Sequence, residues 1–130
     1  GVAKIYLGYN KNIELGNLEI KRDWGYAGDF VQAMWLMLQQ SQPRDYVIAT
    51  GKNFSIKDIV QIAFEEIGID DWTKYVSLNK KLLRPAETFA TKGDFSKARN
   101  ELGWEPKTSL KDTIRMMVRN DIKLQKEKNS

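Results

Sequence analysis

The sequence predicts an α/β chain, mostly helical with a few short strands, and three features carry that expectation. Apolar residues recur at helical spacing in three separate stretches, 27–40, 55–68 and 109–122. A short apolar run, DYVIATG at 45–51, is closed by Thr50-Gly51 and reads as a buried strand of the kind found in parallel sheets. Glycine, proline and capping residues punctuate the stretches between them.

The elements follow in order. The chain opens on GVAKIYLGYNKN, where Val2, Ala3, Ile5 and Tyr6 read as the end of a helix. There is no initiating methionine, so a fragment or a processed chain is expected. IELGNLEIKRDW (13–24) alternates in part and carries a Gly16-Asn17 turn, which predicts two short strands. AGDFVQAMWLMLQQ (27–40) predicts a helix with Asp29 near its start. Phe30, Val31, Met34, Trp35, Met37 and Leu38 form a stripe wide enough to be mostly buried, and Pro43 follows its end. Ser55 heads the next helix with Asp58 in capping-box spacing, and Gly68 closes it. Tyr75, Val76 and Leu78 suggest a short strand. Asp94 caps a short helix that stops at Gly103, ahead of Trp104 and Pro106. Ser109 or Thr108 caps the last helix, with Leu110, Ile114, Met117, Val118 and Ile122 inward and fraying from Lys123 onward. No repeat or internal boundary divides residues 1–130.

Composition narrows the chemistry. The 130 residues are 42% hydrophobic and 29% charged, as in an ordinary folded domain. Cysteine and histidine are both absent. That removes disulfides, thiolate metal sites, Cys nucleophiles and the commonest general base. A net charge of +4 suits a small anion at least as well as a nucleic acid. The Lys and Arg residues are scattered among acids, and no nucleic-acid-binding motif occurs. No apolar run approaches the roughly 20 residues of a membrane span, and the opening stretch has no signal-type apolar core. A cytoplasmic protein without membrane or nucleic-acid partners is expected.

Candidate binding residues come in small groups. In RPAE (84–87), Pro85 fixes the backbone and disfavours helix at Arg84. A guanidinium there would match a diphosphate, and Glu87 would accept from sugar hydroxyls. Spacing alone favours the plainer reading, a surface Arg and Glu beside a proline turn, with an ion pair worth about 0–1 kcal/mol. Arg22 could face phosphates with Asp23 orienting it, or could be solvated while Trp24 packs in the core. Thr50-Gly51 before Ser55 could line an anion pocket at a helix mouth, or could be only a turn and a cap. No GxGxxG, P-loop or Tyr-xxx-Lys pair is present, so the chain carries no recognisable catalytic centre.

Taken together, LGNLEIKRDWGYAGDFVQAMWLMLQQ, DYVIATG, RPAE and GDFSKARNELGWEPK, in this order, closely resemble the C-terminal part of the GDP-mannose 4,6-dehydratase family. That family belongs to the extended short-chain dehydrogenase/reductases, and the resemblance covers essentially the whole chain. It implies the substrate-binding lobe of a Rossmann-type enzyme whose Rossmann core lies largely outside residues 1–130. The activity implied is conversion of GDP-mannose to GDP-4-keto-6-deoxymannose, on the route to GDP-fucose. C4 is oxidised by hydride transfer to tightly bound NADP, water is eliminated across C5–C6, and the hydride returns to C6. NADP and the catalytic residues would belong to the other part, leaving this portion inactive alone. A homo-oligomer is implied for the complete enzyme. Residue by residue, the resemblance places Arg22 and Arg84 toward the diphosphate and Glu87 toward ribose or sugar hydroxyls. Gly16 and Asn17 fall at the turn beside the nucleotide, Tyr46 on a nearby wall, and Lys4 near the guanine pocket. One departure stands at Leu83, where relatives often carry an aromatic residue before the Arg-Pro pair. The lobe of another nucleotide-sugar epimerase or dehydratase, or a nucleotide-binding module without chemistry, would share much of this pattern. In the family, DYVIA belongs to the edge of the Rossmann sheet. Separated from it, the chain is expected to be marginally stable, partly disordered or self-associating.

Overall fold

The computed structural model describes residues 1–84 and 88–128. Its helices are α1 (Val2–Tyr6), α2 (Ala27–Leu38), α3 (Ile56–Glu65), α4 (Ser96–Leu102) and α5 (Leu110–Lys128). The strands are short: β1 (Ile13–Leu15), β2 (Lys21–Arg22), β3 (Phe54–Ser55) and β4 (Val76–Leu78). Single 3₁₀ turns cover Trp72–Tyr75 and Lys80–Leu82.

The two strands expected around Gly16-Asn17 form, yet they do not pair with each other. β1 runs parallel to β4, with Ile13 opposite Val76 and Leu15 opposite Leu78. β2 runs antiparallel to β3, with Lys21 opposite Ser55 and Arg22 opposite Phe54. The turn is therefore a crossing from one small sheet to another rather than a hairpin. At Gly16 a Cβ would sit 2.9 Å from the carbonyl oxygen of Leu82, so the two backbones approach where only glycine fits.

Three apolar clusters hold these elements. Ile5, Val60, Phe64 and Trp72 form the first, with Phe64 stacked on Tyr75 at 5.7 Å. Ala63 on the other side of α3 joins Leu110, Ile114 and Val118 of α5 in the second. Ala33, Ala98, Leu102 and Trp104 form the third, where Phe30 and Phe95 meet the Trp104 ring edge-on at 6.0 and 5.9 Å. Three caps behave as expected, whereas α4 has Phe95 rather than Asp94 at its N-cap, Asp94 accepting instead from the Ser96 amide one position outside. Ser55 and Asp58 exchange both capping-box bonds, Ser109 Oγ accepts from the Asp112 amide, and Gly103 takes the left-handed conformation that ends α4.

Two faces depart from the sequence expectation. On α2, Val31, Met34, Trp35 and Leu38 are 60, 59, 60 and 82% exposed, and only Asp29 and Ala33 are buried. The apolar stripe is wide enough for two faces, and the Trp104 cluster covers one. Residues 45–50 are extended but belong to neither sheet. Tyr46 and Ile48 pack on the Trp104 cluster, Val47 points out, and residues 46–49 make no main-chain hydrogen bond to another described residue. On α5, Met117 is exposed rather than inward, and the helix continues through Lys128 where fraying was expected. No described helix is long and apolar enough to cross a membrane.

Candidate functional site

The segment 20–24 is extended, so alternate side chains point the same way. Ile20, Arg22 and Trp24 all line one cleft of about 310 Å³. Gly16 and Asn17 form one edge of it, and Leu82 and Arg84 close it from the far side. Two guanidinium groups thus reach a single cleft from segments sixty residues apart, and no described lining residue is a carboxylate. Two arginines lining one cleft favour an anion there.

The two arginines are held differently. Arg22 is half-buried, and its Nη1 donates to the carbonyls of Lys21 at 2.8 Å and Thr88 at 2.7 Å. Arg84 lies exposed at the rim. Beside them, Lys21 pairs in parallel with Ala90, its N–H donating to Phe89 and its carbonyl accepting from Thr91. β2 therefore fixes the chain on both sides of the cleft. The Trp24 indole N–H donates to the Phe54 carbonyl at 3.2 Å, which sets its ring as a wall.

Asp23 does not orient Arg22. Its carboxylate accepts from the amides of Thr50 (2.8 Å), Gly51 (2.9 Å) and Gly93 (3.2 Å) and from the Thr50 hydroxyl (2.6 Å). The Thr50-Gly51 amides are thereby satisfied internally, and Asp58 fills the mouth of α3 by bonding Ser55. This disposes of an anion pocket there: the bland alternative, turn plus cap, is the one the chain adopts. Asp29 is likewise a tie rather than a mere helix-start charge. Buried at the start of α2, it accepts from the amides of Lys107 and Thr108 at 2.9 and 2.7 Å.

Of the residues expected to touch ligand, Gly16, Asn17, Arg22 and Arg84 share the cleft. Glu87 lies outside the described residues. Lys4 is exposed on α1 and does not line this cleft. Tyr46 lies apart, in a polar hollow of about 450 Å³ with Arg44 and Glu101. Its hydroxyl donates to Glu101 at 2.9 Å and the Lys97 ammonium sits 5.0 Å from its ring centre. Partial burial, then the bond to Glu101, raises the Tyr46 pKa above 10.0; the same bond holds the Glu101 carboxyl below its ordinary 4.5. Among the described residues no cluster of acids could hold a metal ion. The four glycines at positive φ, Gly8, Gly51, Gly68 and Gly103, are too scattered to cradle a dinucleotide.

The sequence points to Gly16, Asn17, Arg22 and Arg84 but not to the apolar walls of the cleft. Ile20 and Trp24 stand two residues either side of Arg22, so period-two alternation could have found them. Leu82 gave no such signal.

Known proteins match along nearly the whole chain. The family model described as GDP-mannose 4,6 dehydratase matches residues 1–117. GDP-mannose 4,6 dehydratase 1 of Arabidopsis thaliana is 42% identical over 125 residues, covering 96% of this chain and 34% of the relative. The GDP-mannose 4,6 dehydratase of Homo sapiens is 40% identical over 139 residues, covering 95% and 37%. Among solved structures, RMD from Pseudomonas aeruginosa complexed with NADPH superposes with a TM-score of 0.83 at 17% identity, covering 94% of this chain and 40% of that one. The dTDP-glucose 4,6-dehydratase of Bacillus anthracis in complex with NAD gives 0.76 at 19%, covering 91% and 36%. At such identities the two structures establish the fold, that of part of an extended short-chain dehydrogenase/reductase. The chain spans about a third of the length of the curated relatives it matches. A family match over residues 1–117, with an identity of about two residues in five across 95% or more of the chain, leaves one conclusion: the chain belongs to the GDP-mannose 4,6 dehydratase family.

Proposed function

We propose that this chain is the substrate-gripping portion of a GDP-mannose 4,6-dehydratase, holding GDP-mannose by its diphosphate between Arg22 and Arg84. The observation that carries this reading is the convergence of Arg22 and Arg84 on one cleft beside Gly16-Asn17. Guanidinium matches phosphate oxygens two at a time, and Arg22 is pre-positioned by its bonds to Lys21 and Thr88. A residue already ordered loses little entropy when ligand arrives. Glu87 completes the proposal as an acceptor for ribose or sugar hydroxyls.

Among the described residues that line this cleft none is a general acid, a general base or a hydride acceptor. On this reading the remaining two thirds of the enzyme bring NADP and the groups that move protons, while this portion fixes where the hexose lies. The complete enzyme would then be a cytoplasmic homo-oligomer that converts GDP-mannose to GDP-4-keto-6-deoxymannose.

Calorimetric titration of the chain with GDP-mannose, with GDP and with a short oligonucleotide tests the reading. Both nucleotides should bind at one site, and Arg84→Ala should weaken each by about 1–3 kcal/mol, the scale of a charge-assisted hydrogen bond. Unchanged affinity in that variant removes Arg84 from the site. Silence with GDP together with steeply salt-dependent oligonucleotide binding overturns the proposal.

A further inference from the structure

Past Arg22 the ladder of β2 runs out. Lys21 and Arg22 pair with Ser55 and Phe54, but the main chains of Asp23, Trp24 and Gly25 make no hydrogen bond to another described residue. That stretch nevertheless carries one wall of the arginine cleft, since Trp24 lines it beside Arg22. Two side chains anchor the wall instead. One is the Trp24 indole, bonded to the Phe54 carbonyl. The other is the Asp23 carboxylate, on the opposite side of the extended chain. Its Oδ1 accepts from the amide and the hydroxyl of Thr50, and its Oδ2 from the amides of Gly51 and Gly93. Four donors fill the capacity of an ionised carboxylate. They come from both flanks of the strand. Residues 50–51 lead into β3, and Gly93 follows the stretch that meets Lys21 at Ala90. The flanks are pressed together there, because a Cβ at Gly93 would collide with that of Ala49.

We infer that Asp23 is a positioning residue for the diphosphate site, a role that rests on the reading proposed above. It leaves the Arg22 side chain alone, whose direction comes from the carbonyls of Lys21 and Thr88. What the carboxylate fixes is the course of the main chain from which Arg22 and Trp24 spring. Both then reach the cleft from one rigid support. A planar guanidinium grips two phosphate oxygens only when its fork is in register with them. A support that wanders by about 1 Å forfeits much of such a contact. Asparagine is nearly the same size, but it keeps a single acceptor oxygen, and its NH₂ meets N–H groups that need an acceptor. Asp23→Asn therefore unfastens one side of the clamp without emptying any space.

A double-mutant cycle separates positioning from simple loss of structure. The chain is titrated with GDP as wild type, Asp23→Asn, Arg22→Lys and the pair together. Arg22→Lys keeps the charge and loses the fork, so it should weaken GDP by about tenfold, the scale of one charge-assisted hydrogen bond. Asp23→Asn should weaken GDP by a similar factor, about tenfold, because the fork is present but misplaced. The pair should lose about tenfold in all, since a lysine has no fork left to misplace. A carboxylate that only stabilised the fold would lower affinity alike in both backgrounds, giving about a hundredfold for the pair. Should Asp23→Asn fail to fold, Thr50→Val takes its place in the cycle, because it removes one of the four donors and keeps the amide. If the losses multiply, or if the change at the clamp leaves GDP affinity at the wild-type value, the positioning role falls. The diphosphate reading then stands or falls separately, on Arg84→Ala. If wild type binds no GDP, both fall together.

Discussion

Replacing Asp29 by alanine should be among the most damaging single changes in the chain, even though alanine is the better helix former. The carboxylate is 8% exposed, and its Oδ2 accepts from two main-chain amides, Lys107 at 2.9 Å and Thr108 at 2.7 Å. Those amides lie on the stretch that leads into α5. In Asp29→Ala both lose their acceptor in a part-buried place, and an unsatisfied donor costs about 1–3 kcal/mol. Water can reach this loop in part, so about 1–1.5 kcal/mol for each amide is the reasonable scale, or about 2–3 kcal/mol in all. Against a typical total of about 5–15 kcal/mol this is a large share. Asp29→Asn should cost about 1 kcal/mol or less, because a single amide oxygen can still accept from both N–H groups. With a urea slope of about 1–3 kcal/mol/M, the alanine variant should unfold at about 1–2 M less urea. Tryptophan fluorescence can follow the transition. The Trp104 indole donates to the main-chain carbonyl of residue 29 at 2.8 Å, a bond that both variants keep. Equal loss in the two variants, or a change under about 0.5 kcal/mol in alanine, would refute the role assigned to this carboxylate.

Two further outcomes are expected. Tyr46→Phe should flatten both ends of the pH–stability curve. Glu101, held below 4.5, contributes stability above its unfolded value that is lost as pH falls through the folded one. Tyr46, raised above 10.0, contributes stability below that value that is lost as pH rises through the folded one. NMR titration of Glu101 checks this, since its midpoint should rise toward 4.5 in the variant, and an unmoved midpoint counts against the pairing. Trp35→Lys and Leu38→Lys, on the exposed face of α2, should lower the weight-average mass in sedimentation equilibrium without lowering Tm. An unchanged mass would mean that the face does not drive association.

Local rules wrote much of the fold where one segment decides its own conformation. Ser55 with Asp58, Ser109 with Asp112, and Gly103 after Leu102 act through neighbours three or four residues away, and each sits where its spacing predicts. The pairing of strands was not legible in that way. β1 meets β4 across sixty residues, and nothing in IELGN names VSL as its partner. Asp23 and Asp29 show the same limit for carboxylates. Each looked like a local accessory, to Arg22 and to a helix start, and each instead holds amides in remote loops. In the cleft, Arg22 and Arg84 stood out in the sequence because of the resemblance they carry. Spacing alone favours a surface position for Arg84, and the approach of Leu82 to Gly16 brings it beside Arg22. Burial on α2 was misjudged because periodicity counts apolar positions and says nothing of how many neighbours exist to cover them.

The uncovered side of α2 also gives the molecule a built-in optical reporter. Of the four tryptophans, Trp72 and Trp104 are enclosed and Trp24 is half-shielded, whereas Trp35 stands 60% exposed. A soluble quencher such as iodide should therefore extinguish chiefly the red-shifted light of Trp35. Any molecule that settles on that helix, whether another copy or the rest of an enzyme, should announce itself by a blue shift and by protection from the quencher, with no label attached.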